Sequence, residues 1–266
     1  MATPERIGLF GTGVMARGIA ELCLSNAISV VVRSASPERA ESFAASLDGA
    51  VVSTDPGDLE GCALFLEATV EAMEPKTEAL CSAERLLPPD AVIASTTSSL
   101  SITALAAALQ GPERMIGLHF FNPVARMPLV EVVAGIRTEP AAVARGRELA
   151  HALGKRPLTV PDGAGFLVNR LLIPYLNQAA RLAESGYATA EDIDQAMTLG
   201  TGHPMGPFAL IDLIGADVVE AIGLSLEDHY HRTSDGPPPE LKRRVALGWL
   251  GRKTRQGYFP YPPRRS

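Results

Sequence analysis

Short apolar runs rich in β-branched residues alternate with stretches of helical spacing over the first 160 residues. Positions 6–10, 29–32, 63–67, 91–95 and 115–119 are brief runs bounded by turn residues, the pattern of strands buried on both faces. Between them, 14–24, 37–47 and 74–87 carry helical composition and periodicity. The start of the second helix is legible in its chemistry. Ser36 offers a capping hydroxyl, Pro37 lacks only an N–H that would go unpaired there, and Glu38 faces the positive end of the helix dipole. Strand, helix, strand in repetition predicts an α/β fold, with a doubly wound parallel sheet linked by right-handed crossovers.

The pattern changes after 157–160. The breaker-rich segment 161–165 follows, and beyond it the chain is helical: 165–185 has apolar residues at helical spacing, and Thr189 with Asp192 forms a capping box for the next helix. The boundary is therefore expected near Val160, giving a domain at 1–160 and an all-helical C-terminal domain at 161–266. A proline-rich turn is expected at 236–239, and the basic tail at 262–266 is expected to fray.

Of the 266 residues, 46% are hydrophobic and 20% charged, the balance of a globular chain rather than a disordered one. With 24 Lys plus Arg against 30 Asp plus Glu the net charge is −6, so nothing draws the chain as a whole to nucleic acid or anionic membrane. No apolar run approaches the ~18 residues of a membrane span. The opening at 1–11 lacks the features of a secretory signal, so a cytoplasmic location is expected. Cys23, Cys62 and Cys81 are odd in number and lack metal or redox spacing, and are expected to be reduced, buried thiols. Small-molecule chemistry is what remains.

Gly11-Thr12-Gly13-Val14-Met15-Ala16 follows the first strand and opens the first helix, the context in which G-x-G-x-x-G/A has meaning. Gly11 permits the tight turn, Gly13 lets backbone approach a pyrophosphate, and the N–H groups of the first helical turn, Val14 and Met15 among them, face the anion. This is a Rossmann-type dinucleotide site. An NAD site of this kind usually carries an acid at the end of the second strand, to hold the ribose 2′-OH. Here that strand ends in Arg33-Ser34, with Ser36 close by, a set suited to a 2′-phosphate, so NADP is the preferred cofactor. The alternative is that Arg33 is a solvated surface charge and NAD binds without the acidic contact.

His119 ends the fifth run, and Glu131 lies on the strand that returns after it, so the two can be spatial neighbours although twelve positions apart. The other four histidines read as packed or surface residues. His119 stands instead at the strand end where parallel sheets bind ligands.

The segments GTGVMARGIA (11–20), Thr97-Ser98-Ser99-Leu100, GLHFFNPVARMPLVEVV (117–133), GFLVNRLL (165–172), GHPMGPFALIDLIG (202–215) and GRKTRQGYF (251–259), taken in order, resemble the 3-hydroxyacyl-CoA dehydrogenase family over nearly the whole chain. The resemblance implies a nicotinamide-dependent oxidoreductase that interconverts a 3-hydroxyacyl thioester and its 3-oxoacyl form. It implies His119 as general acid and base, Glu131 fixing its tautomer, Ser98 and Asn169 bonding the reacting oxygen, and Asn122 in the same shell. Glu71 and Lys76 match positions beside the nicotinamide and the substrate's phosphopantetheine arm. It also implies a homodimer through the C-terminal domain.

Ser98 could cap the helix starting near Ser101, Asn169 could satisfy backbone in its own helix, and Glu71 and Lys76 could be solvated. Two departures stand out: Arg33-Ser34 replaces the usual acid, and 34–66 has no room for the long helical hairpin with which the family helps bind the CoA nucleotide. Affinity for the adenosine end of CoA is therefore expected to be lower, with the acyl group arriving on a carrier protein, on a simpler thioester or as a free acid; a non-catalytic dinucleotide-binding sensor is the alternative of another class. Gly165 stands four residues before Asn169, where related hydroxyacid dehydrogenases carry a catalytic lysine, which disfavours their chemistry.

Overall fold

The computed structural model describes residues 6–47 and 49–262, so the tail expected to fray lies, from 263 on, outside the described residues. The apolar runs form β1 (Arg6–Phe10), β2 (Ser29–Arg33), β3 (Val51–Ser53), β4 (Leu64–Glu67), β5 (Val92–Ser95), β6 (Met115–Phe120), β7 (Leu129–Ala134) and β8 (Arg156–Pro161). They make one sheet in the order β3-β2-β1-β4-β5-β6-β7-β8. Every residue of β4, β5 and β6 is buried, as in strands covered on both faces.

The sheet is mostly parallel, as expected, and the strand that carries Glu131 returns antiparallel. β1 to β6 pair in parallel, but β7 runs antiparallel to β6, and β8 is parallel to β7. The physical reason is the loop 121–128, which is shorter than the roughly dozen residues a parallel crossover needs. β8 is an edge strand, where Pro157 and Pro161 are tolerated.

Helices α1 (Val14–Ser25), α2 (Pro37–Ala44), α3 (Met73–Glu84), α4 (Ile102–Ala106) and α5 (Pro140–Ala152) accompany the sheet. Ser36 caps α2 as expected, accepting the N–H of Arg39 at 3.3 Å, although that helix stops at Ala44 rather than at 47. Strand pleating divides the core. In β4, Leu64 and Leu66 join Ile7, Leu9 and Ile19 on one face, and Phe65 joins Leu80, Ile93 and Ile102 on the other.

The chain divides into two compact units, Met1–Phe166 and Leu167–Ser266. The segment 162–166 stays with the sheet because Asp162 is fastened to the start of α4, where its carboxylate accepts hydrogen bonds from the Ser101 hydroxyl and from the N–H groups of Ile102 and Thr103. The second unit holds α6 (Val168–Glu184), α7 (Ala190–Thr201), α8 (Pro207–Ile214), α9 (Ala216–Tyr230) and α10 (Pro239–Ala246). The Thr189 hydroxyl accepts the N–H of Asp192 at 3.1 Å, as the capping box requires. Asp194 on α7 takes the N–H groups of Phe208 and Ala209, so one helix caps the next. The turn expected at 236–239 is shorter, since Pro239 already opens α10.

No described helix is long and apolar enough to cross a membrane. Cys23 and Cys62 are buried free thiols, and burial pushes the Cys23 thiol up to about 12. Cys81 departs from the expectation, being only half-buried, with its thiol donating to the Ala108 carbonyl.

Candidate active site

β1 ends at Phe10 and the chain turns at Gly11, with φ of +129°, a conformation costly for any side chain. A Cβ there would also strike the Ala68 carbonyl, so the turn demands glycine twice over. At Gly13 a Cβ would meet nothing within 4 Å, so the backbone borders open space. That space is a cavity of about 550 Å³, lined by Phe10, Gly11, Gly13, Arg33, Ser34 and Arg39. It lies at the carboxyl ends of β1, β2 and β4, where the strand order reverses, the place such sheets bind nucleotides. α1 opens on Gly13 without a side-chain cap. The Val14 side chain is exposed and Met15 packs partly into the core, so what these two residues offer the cavity is backbone N–H.

The Arg33 guanidinium lies 4.9 Å over the Phe10 ring, and its Nε is buried without a hydrogen-bond partner among the described residues. A buried donor without a partner on the wall of a nucleotide cavity fits an anionic ligand. The serines do not serve as expected. The Ser34 hydroxyl donates to the Ser36 carbonyl at 3.0 Å, and the Ser36 hydroxyl donates to Glu38 at 2.5 Å, so both protons are spent within the loop. The second donor at this end is Arg39, in the first turn of α2, which sequence reading passed over. Its place three residues after the Ser36 cap was the available signal.

His119 and Glu131 are paired directly in the β6–β7 register. Directly opposed residues put their side chains on one face of the sheet, and here the imidazole Nδ1 stands 2.6 Å from the Glu131 carboxylate. His119 is 3% exposed and Glu131 is fully buried. Phe121 and Phe166 tilt against the imidazole at centroid distances of 4.6 and 5.4 Å. With Nδ1 committed to Glu131, Nε2 is the ring nitrogen left for chemistry.

Ser98 follows β5 at the same carboxyl end of the sheet. Ser101, not Ser98, caps α4, its hydroxyl accepting the N–H of Ala104 at 3.1 Å. The turn is gripped by Glu71, whose Oε1 accepts from the Thr97 hydroxyl, the N–H groups of Ser98 and Ser99 and the Ser99 hydroxyl, all at 2.7–2.9 Å. Burial would raise the Glu71 pKa, but the Lys76 charge and these hydrogen bonds outweigh it and hold the carboxyl below its ordinary range. Lys76 is placed otherwise than expected. It is 1% exposed, with Nζ 3.0 Å from Glu67 and 3.3 Å from Glu71, so its ammonium is enclosed by carboxylates rather than presented to a substrate arm. Glu67 escaped the sequence reading, although a charge ending a continuous apolar strand was its signal. Asn122 is exposed just beyond β6, and Asn169 is buried in the first turn of α6, in the second unit.

The 3-hydroxyacyl-CoA dehydrogenase, NAD binding domain, matches residues 39–163, and the C-terminal domain of the same family matches 165–261. The chain is 40% identical over 285 residues to a 3-hydroxybutyryl-CoA dehydrogenase of Mycobacterium tuberculosis, covering 97% of this chain and 98% of that one. A 3-hydroxybutyryl-CoA dehydrogenase of Bradyrhizobium diazoefficiens is 37% identical, covering 98% and 96%. Among solved structures, the (S)-3-hydroxybutyryl-CoA dehydrogenase of Ralstonia eutropha superposes with a TM-score of 0.92 at 35% identity, over 98% of this chain and 100% of that one. Sequence, fold and domain order agree: the chain belongs to the 3-hydroxyacyl-CoA dehydrogenase family.

Proposed function

We propose that the chain interconverts a 3-hydroxyacyl-CoA and its 3-oxoacyl form, with His119 as the group that moves the proton. The observation that carries the proposal is the buried Nδ1–carboxylate contact of 2.6 Å. Glu131 holds Nδ1–H, which leaves Nε2 as the basic nitrogen, and its charge stabilises the imidazolium that forms. The His119 Nε2 takes the hydroxyl proton, and in the reverse direction returns it to the oxygen. A bound nicotinamide supplies the hydride acceptor or donor. Phe121 and Phe166 exclude water from the imidazole. The Ser98 hydroxyl donates to the reacting oxygen from the turn that Glu71 holds, and the resemblance assigns Asn169 to the same oxygen. An acid–base pair of this kind weighs against a sensor without turnover.

Gly11, Gly13, Val14 and Met15 hold the pyrophosphate by backbone, and Asn122 and Glu71 belong to the nicotinamide end. The cofactor is assigned as NADP in preference to NAD. The end of β2 has no carboxylate to receive a ribose 2′-OH, and Arg33 and Arg39 supply two guanidinium groups where a 2′-phosphate would lie. The relatives' names give the substrate class, 3-hydroxybutyryl-CoA. The segment 34–66 holds only α2, β3, a short turn at Pro56–Leu59 and the start of β4 among its described residues, so the adenosine end of CoA has no helical hairpin to lie against. This favours testing a carrier-protein thioester beside CoA. We assign a homodimer through the second unit, where Leu171, Leu199, Leu213, Leu224 and Leu247 are exposed, and a cytoplasmic location.

The test is an absorbance assay of nicotinamide reduction, with 3-hydroxybutyryl-CoA or its carrier-protein counterpart against NAD and NADP. Turnover with NADP favoured supports the reading, and no turnover with either thioester overturns it.

A further inference from the structure

Glu67 ends β4 with its side chain fully buried, and no step of the chemistry above uses it. Its carboxylate accepts from the Thr69 N–H at 2.5 Å, the Thr69 hydroxyl at 2.6 Å, the Ser95 hydroxyl at 2.6 Å and the Lys76 ammonium at 3.0 and 3.1 Å. A carboxylate so far from water is retained only where such donors replace the water. Two routes lead from it to the Ser98 turn. On one, Lys76 reaches the Oε2 of Glu71 at 3.3 Å, while the Oε1 of Glu71 takes the turn's four donors. On the other, Ser95, the register partner of Glu67, gives its proton to Glu67 and accepts the N–H of Thr97 at 3.2 Å.

The three protons of the Lys76 ammonium are thus matched by Glu67, Glu71 and the Thr69 carbonyl at 3.4 Å. Glu71 is held at both ends, one oxygen on the lysine and the other on the turn, so the carboxylate cannot rotate without breaking one set. If Glu67 loses its charge, Lys76 is left with a single carboxylate partner and moves toward Glu71, which pulls Glu71 off the turn.

We propose that Glu67 is a positioning residue for the reaction, bracing the turn that carries Ser98 through Lys76 and Glu71 on one side and through Ser95 on the other. The proposal rests on the reading that Ser98 meets the reacting oxygen.

The test is a double-mutant cycle on the full-length enzyme, combining Glu67→Gln with Ser98→Ala and reading kcat, KM and Tm. Glu67→Gln keeps the shape of the side chain. It is expected to lower kcat about tenfold in the wild-type background and less than twofold in the Ser98→Ala background, because coupled groups are not additive. KM should change little, and the Tm shift should be the same in both backgrounds. A tenfold loss that persists in the absence of the Ser98 hydroxyl overturns the proposal and leaves the assignment of Ser98 intact. A Ser98→Ala enzyme of undiminished kcat overturns both. Should Glu67→Gln fail to fold, Ser95→Ala removes a single hydroxyl from the second route. A two- to fourfold loss of kcat that vanishes in the Ser98→Ala background is then expected, and an additive loss refutes the brace.

Discussion

His119 and Glu131 are direct cross-strand partners on β6 and β7, with imidazole Nδ1 and carboxylate 2.6 Å apart in a buried setting. The antiparallel return of β7 produces this contact, because a strand folded straight back can lay residue 131 opposite 119. Glu131→Gln tests what the charge contributes. The amide keeps the size but cannot stabilise an imidazolium, so kcat should fall on the order of 10²–10⁴-fold, measured by steady-state hydride transfer.

Arg33 and Arg39 are the two residues proposed to set the cofactor preference. Arg33→Asp should turn the enzyme from NADP toward NAD, and Arg39→Ala should weaken NADP alone. Fluorescence titration with each reduced cofactor reads both. An unchanged ratio in both variants removes the 2′-phosphate contact.

Ser98 and Ser101 lie on one turn and are expected to separate in their effects. Ser101 caps α4, so Ser101→Ala should cost about 1 kcal/mol of stability. Ser98→Ala should lower kcat about tenfold or more while Tm hardly moves. Thermal melts run beside kinetics decide it, and the reverse pattern would make Ser98 the structural residue.

Glu71 is more acidic in the folded chain than its ordinary 4.5. A lowered carboxylate pKa adds stability above the unfolded value, and that stability is lost as pH falls through the folded one. The Tm gap between wild type and Glu71→Gln should therefore be steady from about pH 6 to 8 and should close below about pH 4.5. Melts across that range measure it, and a gap independent of pH would show that the charge contributes nothing.

Strands with both faces buried were legible because their runs are continuously apolar, and α2 because Ser36-Pro37-Glu38 spells a helix start. The return of the strand that carries Glu131 was legible too, but the prolines of β8 disguise an edge strand. The glycine turn and the His119–Glu131 pairing could be read because each is carried by local residue types. The burial of Lys76 could not, since it depends on Glu67, nine residues earlier and held in register by a different strand. The Ser34 hydroxyl departs from expectation for a similar reason: residue type shows that a donor exists, and only the folded loop shows where its proton goes.

The proton-transfer role of His119 is tested by single-turnover hydride transfer in His119→Asn, with cofactor affinity measured on the same preparation. The rate should fall by about 10²–10⁴ with cofactor affinity within about twofold of wild type. Hydride transfer at the wild-type rate, or a variant that no longer binds cofactor, would contradict that role.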